Sequence, residues 1–233
     1  MTRSTILMIA GFGDNSSMYD SLLATDLAEQ NELVPLDLPG FGAEPLGVET
    51  TLATLAQFVA EKAKTHSADT IIAHSVASII ASLAARTEGS PLNHVISLEG
   101  NLTAEDAYFS GRAADHDNAA SFRDWFLPRL AKKSAGDPIL ARYAQEVAKA
   151  DPQALWELGC DAKRFSDHEH PGETLRGAGR VTYIFNPDKC PESSVAWLSE
   201  SGINSEPLPG ASHWPTLDKP NALSRRISET LRD

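Results

Sequence analysis

Residues 70–81 read Thr-Ile-Ile-Ala-His-Ser-Val-Ala-Ser-Ile-Ile-Ala, an apolar run that reaches Ser75 and continues as small and aliphatic residues. The run 70–73 is typical of a buried strand, whereas residues 76–85 are typical of a helix, so the chain must turn within about two residues. A turn this tight brings the backbone close to itself, and Ala73 and Ala77 on either side of the serine are small enough to allow it. The pattern therefore predicts a serine at the carboxyl edge of a sheet, below the amino end of a helix.

This strand, serine and helix resemble the nucleophile elbow of the α/β-hydrolase superfamily, whose usual pattern is Gly-x-Ser-x-Gly. Ala73 and Ala77 stand here in place of the two glycines. The alternative interpretation is that Ser75 caps a helix that follows a buried strand. Other loops of the chain bear on this choice.

Three further loops resemble loops of α/β-hydrolases and occur in the expected order. Residues 11–13, Gly-Phe-Gly, resemble the His-Gly-x motif, with Ala10 in place of the histidine. Residues 37–42, Asp-Leu-Pro-Gly-Phe-Gly, resemble the Asp-x-x-Gly-x-Gly loop, although a Pro-Gly turn alone would also have this sequence. Residues 208–215, Leu-Pro-Gly-Ala-Ser-His-Trp-Pro, resemble the histidine loop. The resemblance implies an α/β-hydrolase fold with serine hydrolase activity.

The order of elements predicts an α/β fold. Apolar runs alternate with helical patterns, which indicates a mostly parallel sheet of about six strands with right-handed crossovers. The first apolar run already leads into the glycine loop, so we expect the two antiparallel first strands of many relatives to be absent. Residues 102–175 interrupt the alternation with helical segments at 118–131, 137–150 and 152–159, bounded by prolines such as Pro128. We therefore expect a core formed by 1–101 and 176–233, and a helical cap formed by 102–175.

Composition limits the classes of partner. The chain has 233 residues, which suits one domain, and its formal net charge of −12 disfavours nucleic acids and anionic membrane surfaces. Cys160 and Cys190 have no metal-ligand spacing and cannot form a disulfide framework. The apolar run after the start is too short for a signal peptide or a membrane span, so a cytoplasmic protein is expected. The oligomeric state is not predicted.

A serine hydroxyl needs a base to act as a nucleophile at neutral pH, and a histidine oriented by a carboxylate is the usual base. The resemblance implies Ser75 as the nucleophile and His213 as the base. It also implies that the backbone N–H groups of Phe12 and Val76 form an oxyanion hole. His74 is expected to point away from Ser75.

Two carboxylates are candidates for the acid that orients His213 and completes a Ser-His-acid triad. Asp188 ends the strand where the superfamily most often has its acid, but Asn186-Pro-Asp-Lys is also an ordinary turn sequence. Glu99 ends the strand after Ser75, where burial would require a partner such as His213. Haloalkane dehalogenases and a group of fungal-toxin lactonases resemble this arrangement. The choice stays open, with Glu99 favoured.

The proposed cap is rich in aromatic residues, which are Tyr108, Phe109, Phe122, Trp125, Phe126, Trp156 and Phe165. We expect a small-molecule substrate with an apolar moiety to contact Trp125, Phe126 and Trp214, although cap helices also need apolar faces to pack. The motifs imply no metal, flavin or nicotinamide. The leading hypothesis is cleavage of an ester, lactone, thioester or related acyl bond. The alternatives are a receptor-like ligand-binding protein with slow turnover and cofactor-independent oxygen chemistry.

Overall fold

The computed structural model describes residues 3–232, so Met1, Thr2 and Asp233 lie outside the described residues. Six strands form one parallel sheet, and two very short strands pair separately. The strands are β1 (Thr5–Ile9), β2 (Glu32–Leu36), β3 (Leu38–Pro39), β4 (Gly42–Ala43), β5 (Thr70–His74), β6 (His94–Leu98), β7 (Arg180–Phe185) and β8 (Asn204–Pro207).

The large sheet has the order β2-β1-β5-β6-β7-β8, and every neighbouring pair is parallel. The expectation of about six parallel strands is confirmed. Strands β5 and β6 lie in the middle and are buried along their whole length, which explains their continuous apolar sequences. Because the strands are parallel, their carboxyl ends meet at one edge of the sheet. The loops with Gly11, Ser75, Glu99 and His213 all follow strands at that edge.

Helices cover the sheet and fill the stretch between β6 and β7. They are α1 (Asp20–Leu23), α2 (Asp26–Gln30), α3 (Leu52–His66), α4 (Ala77–Ala85), α5 (Ala119–Lys133), α6 (Pro138–Lys149), α7 (Pro152–His168), α8 (Pro171–Arg176), α9 (Glu192–Ser201), α10 (Pro215–Asp218) and α11 (Pro220–Thr230). Short 3-10 turns occur at Ser16–Tyr19, Ala104–Ala107 and Ser110–Asp115. Within residues 3–232, none of these helices is both long and apolar enough to cross a membrane.

Between β6 and β7 the chain forms the helical insertion that the sequence predicts, made of α5 to α8 and two 3-10 turns. We call residues 102–175 the cap, and their division from the rest of the chain stays a prediction. Polar contacts join the cap to the sheet side. The backbone N–H of Asp151 donates to the Gly40 carbonyl at 2.9 Å, and Glu157 accepts from the Thr50 N–H at 2.7 Å. These contacts hold the cap over the carboxyl edge of the sheet.

Helix α7 is longer than the sequence predicts, since it continues to His168 rather than ending at 159. Gly159, a residue of low helix propensity, lies inside it. A Cβ added there would be 2.5 Å from the Ala113 Cβ and 2.7 Å from the Ser110 carbonyl oxygen. The glycine therefore allows the 3-10 turn Ser110–Asp115 to contact the helix, and this packing outweighs propensity.

Pro128 does not bound a helix, so that expectation is wrong. Helix α5 runs through it from Ala119 to Lys133. Proline removes one hydrogen bond to the carbonyl four residues earlier, here that of Asp124. Both residues are exposed, so water can satisfy that carbonyl. The helix is retained because its opposite face is buried, including Phe122, Phe126 and Leu130.

Candidate active site

Ser75 occupies a strained backbone conformation between β5 and α4. Its φ is 54°, in the left-handed region that non-glycine residues rarely adopt. Its N–H donates to the Leu98 carbonyl at 2.9 Å, which ties the turn to the neighbouring strand β6. The glycine loop, residues 10–14, passes directly beside it, because a Cβ on Gly11 would lie 2.9 Å from the Ser75 Cβ. Strain of this kind concentrates at functional sites.

A small cavity of about 20 Å³ surrounds the serine, and we call it the Ser75 cavity. It is large enough for a water molecule, since about 10–15 Å³ suffices for one. Its lining residues are Gly11, Phe12, Asp14, His74, Ser75, Asp106, Tyr108, Phe109, Ser110, Tyr143, His213 and Trp214. The cavity thus brings together Ser75, His213, Phe12 and Trp214, four of the residues singled out from the sequence.

His74 lines this cavity as well, so the expectation that it points away from Ser75 is wrong. Its ring lies 4.8 Å from the His213 ring, measured between centroids, and its Nε2 lies 2.7 Å from the His213 carbonyl oxygen. A carbonyl only accepts, so Nε2 carries the proton and donates. Nδ1 is buried without a partner among the described residues. His74 therefore fixes the backbone of the histidine loop.

Burial lowers the pKa of His74 to about 4 and also lowers the pKa of His213 well below its usual range, with His74 adding to the effect. Both rings are therefore neutral at physiological pH. A neutral imidazole can accept a proton, and His213 is the one that lines the cavity beside Ser75 without serving as a donor to the backbone.

The low pKa of His74 predicts a dependence of stability on pH. The unfolded chain takes up a proton near pH 6.5 whereas the folded chain does so only near 4, so stability is complete above pH 6.5 and falls as pH drops through this window. The contribution of His74 is about 3 kcal/mol, at roughly 1.4 kcal/mol per pKa unit. In His74→Gln, urea unfolding at pH 7.5 and pH 4.5 should show a correspondingly smaller pH difference. The exposed His66→Gln is the control, and equal differences in both variants would contradict the prediction.

Glu99 repeats the conformation of Ser75 at the end of the next strand. Its φ is 50°, and its N–H donates to the Ile184 carbonyl of β7 at 3.0 Å. Gly100 follows because any side chain there would collide with Ser97 and Ser78, whose hydroxyl oxygens lie 2.2 and 2.3 Å from an added Cβ. The structure thus holds a second strained, non-glycine residue at the carboxyl edge of the sheet.

The Glu99 carboxylate is mostly buried. It accepts from the Asn186 N–H at 2.6 Å, and it lines a cavity of about 90 Å³ together with His213, Asp106 and Tyr108; we call this the Glu99 cavity.

Burial raises the pKa of Glu99 to about 7, opposed by the Asn186 N–H and the Lys189 charge. Asp106 and Asp218 raise the pKa further. The carboxylate is therefore held at a large desolvation penalty.

Asp188 lies in a different setting. It is exposed, its N–H donates to the Asn186 side-chain oxygen at 3.1 Å, and it does not line a cavity with His213. Asn186 in turn donates from Nδ2 to the Ala211 carbonyl at 2.7 Å, which joins this turn to the histidine loop. The turn chemistry of residues 186–189 accounts for Asp188 locally.

His213 lines one cavity with Ser75 and another with Glu99, but within residues 3–232 no hydrogen bond joins its side chain to either residue. Among the described residues, the Ser75 hydroxyl makes no hydrogen bond to His213, and Glu99 forms no ion pair with it within 4.0 Å. Side-chain contacts of this kind are often loose before a substrate binds. The arrangement has a hydroxyl, a neutral imidazole and a buried carboxylate in sequence along one edge of the sheet.

Two contacts from the cap hold the glycine loop. The Tyr143 hydroxyl donates to the Phe12 carbonyl at 2.7 Å. The Arg142 guanidinium donates to both oxygens of Asp14 at 2.6 Å, and its other terminal nitrogen donates to the Ser17 hydroxyl at 2.7 Å. The Asp14 side chain is fully buried. The peptide after Gly11 is therefore fixed beside Ser75 by helix α6.

Comparison with known proteins assigns the family. The profile described as "Alpha/beta hydrolase family" matches residues 6–226. The chain belongs to the alpha/beta hydrolase family. A comparison with curated proteins gives no match.

Solved structures of this hydrolase fold are similar over nearly the whole chain. An esterase from Thermogutta terrifontis has 16% identity and a TM-score of 0.74, covering 99% of this chain and 90% of its own. The enol-lactonase from Burkholderia xenovorans LB400 has 17% identity and a TM-score of 0.74, covering 100% and 93%. A 1H-3-hydroxy-4-oxoquinoline 2,4-dioxygenase has 16% identity and a TM-score of 0.76, covering 98% and 92%. At these identities the likeness establishes the fold alone.

The aromatic residues expected to contact substrate divide between two places in this alpha/beta hydrolase. Trp214 lines the Ser75 cavity. Trp125 and Phe126 instead line a neighbouring cavity of about 160 Å³ between residues 108–112 and helix α5, and we call it the Trp125 cavity. Tyr108 and Phe109 line both cavities and so separate them. Phe126 also packs against the Phe12 ring, with centroids 6.2 Å apart.

Sequence reasoning missed several side chains that this hydrolase places around the serine and histidine. Asp106 lines the Ser75 cavity and the Glu99 cavity, and it accepts from the Leu102 and Thr103 N–H groups, each at 2.9 Å. The spacing Thr103-x-x-Asp106 is a capping-box pattern and could have revealed this local role. Arg142 and Tyr143 carry no such signal, because their partners are more than 120 residues away in the sequence.

Proposed function

We propose that this protein is a serine hydrolase that cleaves an ester, lactone, thioester or related acyl bond. The observation that carries the proposal is the strained Ser75, which shares a small cavity with the neutral, half-buried His213. Ser75 would attack the carbonyl carbon while His213 accepts the hydroxyl proton and then donates it to the leaving group. In the second half of the reaction, water would attack the acyl carbonyl carbon as His213 takes its proton, and His213 would return that proton to the Ser75 oxygen as the bond to the acyl group breaks.

The developing negative charge needs donors that are already in place. Phe12 and Val76 suit this role, because neither of their N–H groups donates to another backbone group within residues 3–232. Val76 is at the amino end of α4, where helical N–H groups are free, and the Phe12 peptide is held by Tyr143. Removing one such donor in other hydrolases lowers kcat by about 10²–10³-fold.

We propose Glu99 as the carboxylate that stabilises the protonated form of His213. Its strained backbone, its burial and the cavity that it shares with His213 support this assignment. Asp188 is exposed and has a local role in its turn. The apolar moiety of the substrate is expected to lie against Trp214 and the cap aromatics.

We expect a fluorophosphonate probe to label wild-type protein on Ser75, because the probe reacts with activated serine hydroxyls. Ser75→Ala should lose all labelling, and Ser134→Ala, at a half-buried position outside the Ser75 cavity, is the control that retains it. Peptide mass spectrometry identifies the labelled residue. Labelling that persists in Ser75→Ala would contradict the proposal. Labelling of wild type without steady-state hydrolysis of acyl esters would favour the receptor-like alternative.

A second candidate function is cofactor-independent oxygen chemistry. It is supported by the Ser75 hydroxyl, which makes no hydrogen bond to His213 among the described residues, so that the ring is free to take a proton from a substrate. One protein of similar fold is a 1H-3-hydroxy-4-oxoquinoline 2,4-dioxygenase. Oxygen consumption with 1H-3-hydroxy-4-oxoquinoline as the substrate would favour this function over hydrolysis if it is retained in Ser75→Ala and lost in His213→Ala.

A further inference from the structure

The Trp125 cavity carries an unusual concentration of positive charge for this chain. The protein has a formal net charge of −12 and only 20 lysines and arginines. Three of them, Arg112, Arg129 and Lys133, line this one cavity, and no carboxylate of the described residues lines it. Arg112 has an ion pair with Asp115 at 3.1 Å, but both side chains are more than half exposed. Such surface pairs are weak because solvent and salt screen them, so Asp115 offsets the charge of Arg112 only slightly. The cavity therefore keeps its positive character.

The cations are stacked on aromatic rings. The guanidinium carbons of Arg112 and Arg129 lie 5.4 and 4.5 Å from the Trp125 ring centre, and the Lys133 ammonium lies 5.2 Å from the Phe109 ring centre. Stacking orients a guanidinium through its flat face and leaves its N–H groups at the edge. Arg129 uses one terminal nitrogen to donate to the Trp125 carbonyl at 3.1 Å, and its other N–H groups stay available. Such groups form strong, charge-assisted hydrogen bonds to the oxygens of an anion such as a carboxylate.

The cavity is next to the Ser75 cavity. Tyr108 and Phe109 line both, so these two side chains form the wall between the cavities, and Tyr108 is half exposed. The Phe109 and Phe126 rings pack with centroids 6.1 Å apart, which gives the connecting surface an apolar character. A molecule that reacts at Ser75 can therefore extend an apolar segment past these rings toward the cations.

We propose that the Trp125 cavity binds the anionic end of the substrate, a carboxylate carried on an apolar or aromatic segment. The inference rests on the proposed hydrolase function and adds the class of substrate to it. Arg129 and Lys133 are the charges that would contact the carboxylate, and Trp125 holds Arg129 in position. The preferred substrate is then an ester, lactone or thioester of a molecule that also carries a free carboxylate.

The test compares two esters with the same five-carbon acyl chain, the 4-nitrophenyl monoester of glutaric acid and its neutral methyl ester. We expect wild type to prefer the anionic ester in kcat/KM, and Arg129→Gln/Lys133→Gln to lower the anionic-to-neutral ratio by about 10- to 100-fold, as loss of charge-assisted hydrogen bonds does. Lys132→Gln is the control for loss of a positive charge on α5, because it removes one such charge from an exposed position outside the cavity. A thermal melt verifies that each variant is folded. Equal ratios in the double variant and the control would overturn the proposal.

A binding measurement separates this inference from the proposed function. Titration calorimetry of wild type with 4-phenylbutyrate, which cannot be hydrolysed, should give binding that weakens with added salt and in the double variant. The neutral 4-phenylbutanamide should bind more weakly. If neither ester is hydrolysed but 4-phenylbutyrate binds in this way, the hydrolase proposal fails and the anion site stands. If the acid and the amide bind equally, the anion site fails.

Discussion

Replacing Glu99 with glutamine is expected to lower kcat on the order of 10⁴-fold, as loss of the histidine-orienting carboxylate does in a serine hydrolase. The amide keeps the shape of the side chain and its carbonyl oxygen can still accept from the Asn186 N–H. It cannot stabilise a positive charge on His213. The effect should therefore appear in kcat with little change in the fold.

The same substitution should make the protein more stable at alkaline pH. The pKa of Glu99 is raised from 4.5 to about 7, so the folded protein holds this proton over a range where the unfolded chain has lost it. Stability in the wild type is consequently lost as pH rises from 4.5 through 7, by up to about 3 kcal/mol. Glutamine does not ionise. The stability of Glu99→Gln relative to wild type should thus increase from pH 5 to pH 8.

Urea unfolding at both pH values and steady-state kinetics measure the two effects together. The matched control is Asp188→Asn, the same change of charge at the exposed turn carboxylate, which should leave both quantities nearly unchanged. A large loss of kcat in Asp188→Asn together with an active Glu99→Gln would assign the acid to Asp188. A loss of kcat without the pH-dependent gain in stability would contradict the burial argument.

Replacing Arg142 with methionine is expected to reduce the free energy of unfolding by about 3–5 kcal/mol, the usual result of removing one partner from a buried ion pair. Asp14 is fully buried, and Arg142 contacts both of its oxygens. Burial already raises the pKa of Asp14 despite the guanidinium, so without Arg142 the ionised form would be held at a larger penalty. Activity should fall as well, because the pair holds the loop that carries Phe12.

The double variant Asp14→Asn/Arg142→Met separates charge from packing. Since it leaves no buried charge, it should recover most of the stability that Arg142→Met loses. Lys149→Gln is the control on the same helix, because Lys149 pairs with Glu146 at the surface and its side chain is 67% exposed. We expect it to change stability by less than about 1 kcal/mol. A double variant as unstable as Arg142→Met would mean that shape rather than charge holds the loop.

Local patterns in the sequence predict much of this fold. Residues 70–73 and 94–98 are apolar because both faces of β5 and β6 are covered, and the alternation of such runs with helical patterns indicates a parallel sheet. Parallel strands bring their carboxyl ends together, which is why loop order alone places Ser75 and His213 at one edge. Local sequence is therefore sufficient to predict the position of a residue that lies at the end of a strand or on one face of a helix.

The contacts between cap and core join residues that are far apart in the sequence, so the sequence patterns do not predict them. Arg142 and Asp14 are 128 residues apart, and neither shows in its own segment that it has a partner. The length of α7 depends on Gly159 contacting Ala113, a packing effect that helix propensity does not contain. The place of His74 beside the histidine loop depends on its contact with the His213 carbonyl, 139 residues away in the sequence, which its own segment does not reveal.

The space around Ser75 is too small for any ester. About 20 Å³ is far below the roughly 300–1,000 Å³ of ligand pockets. Any substrate must therefore be captured by a more open conformation of the cap, and its apparent affinity is its intrinsic affinity multiplied by the fraction of molecules that are open. The contacts of helix α6 with the glycine loop thus act on substrate affinity as well as on stability, since each contact that favours the closed protein also lowers the population that can accept a ligand.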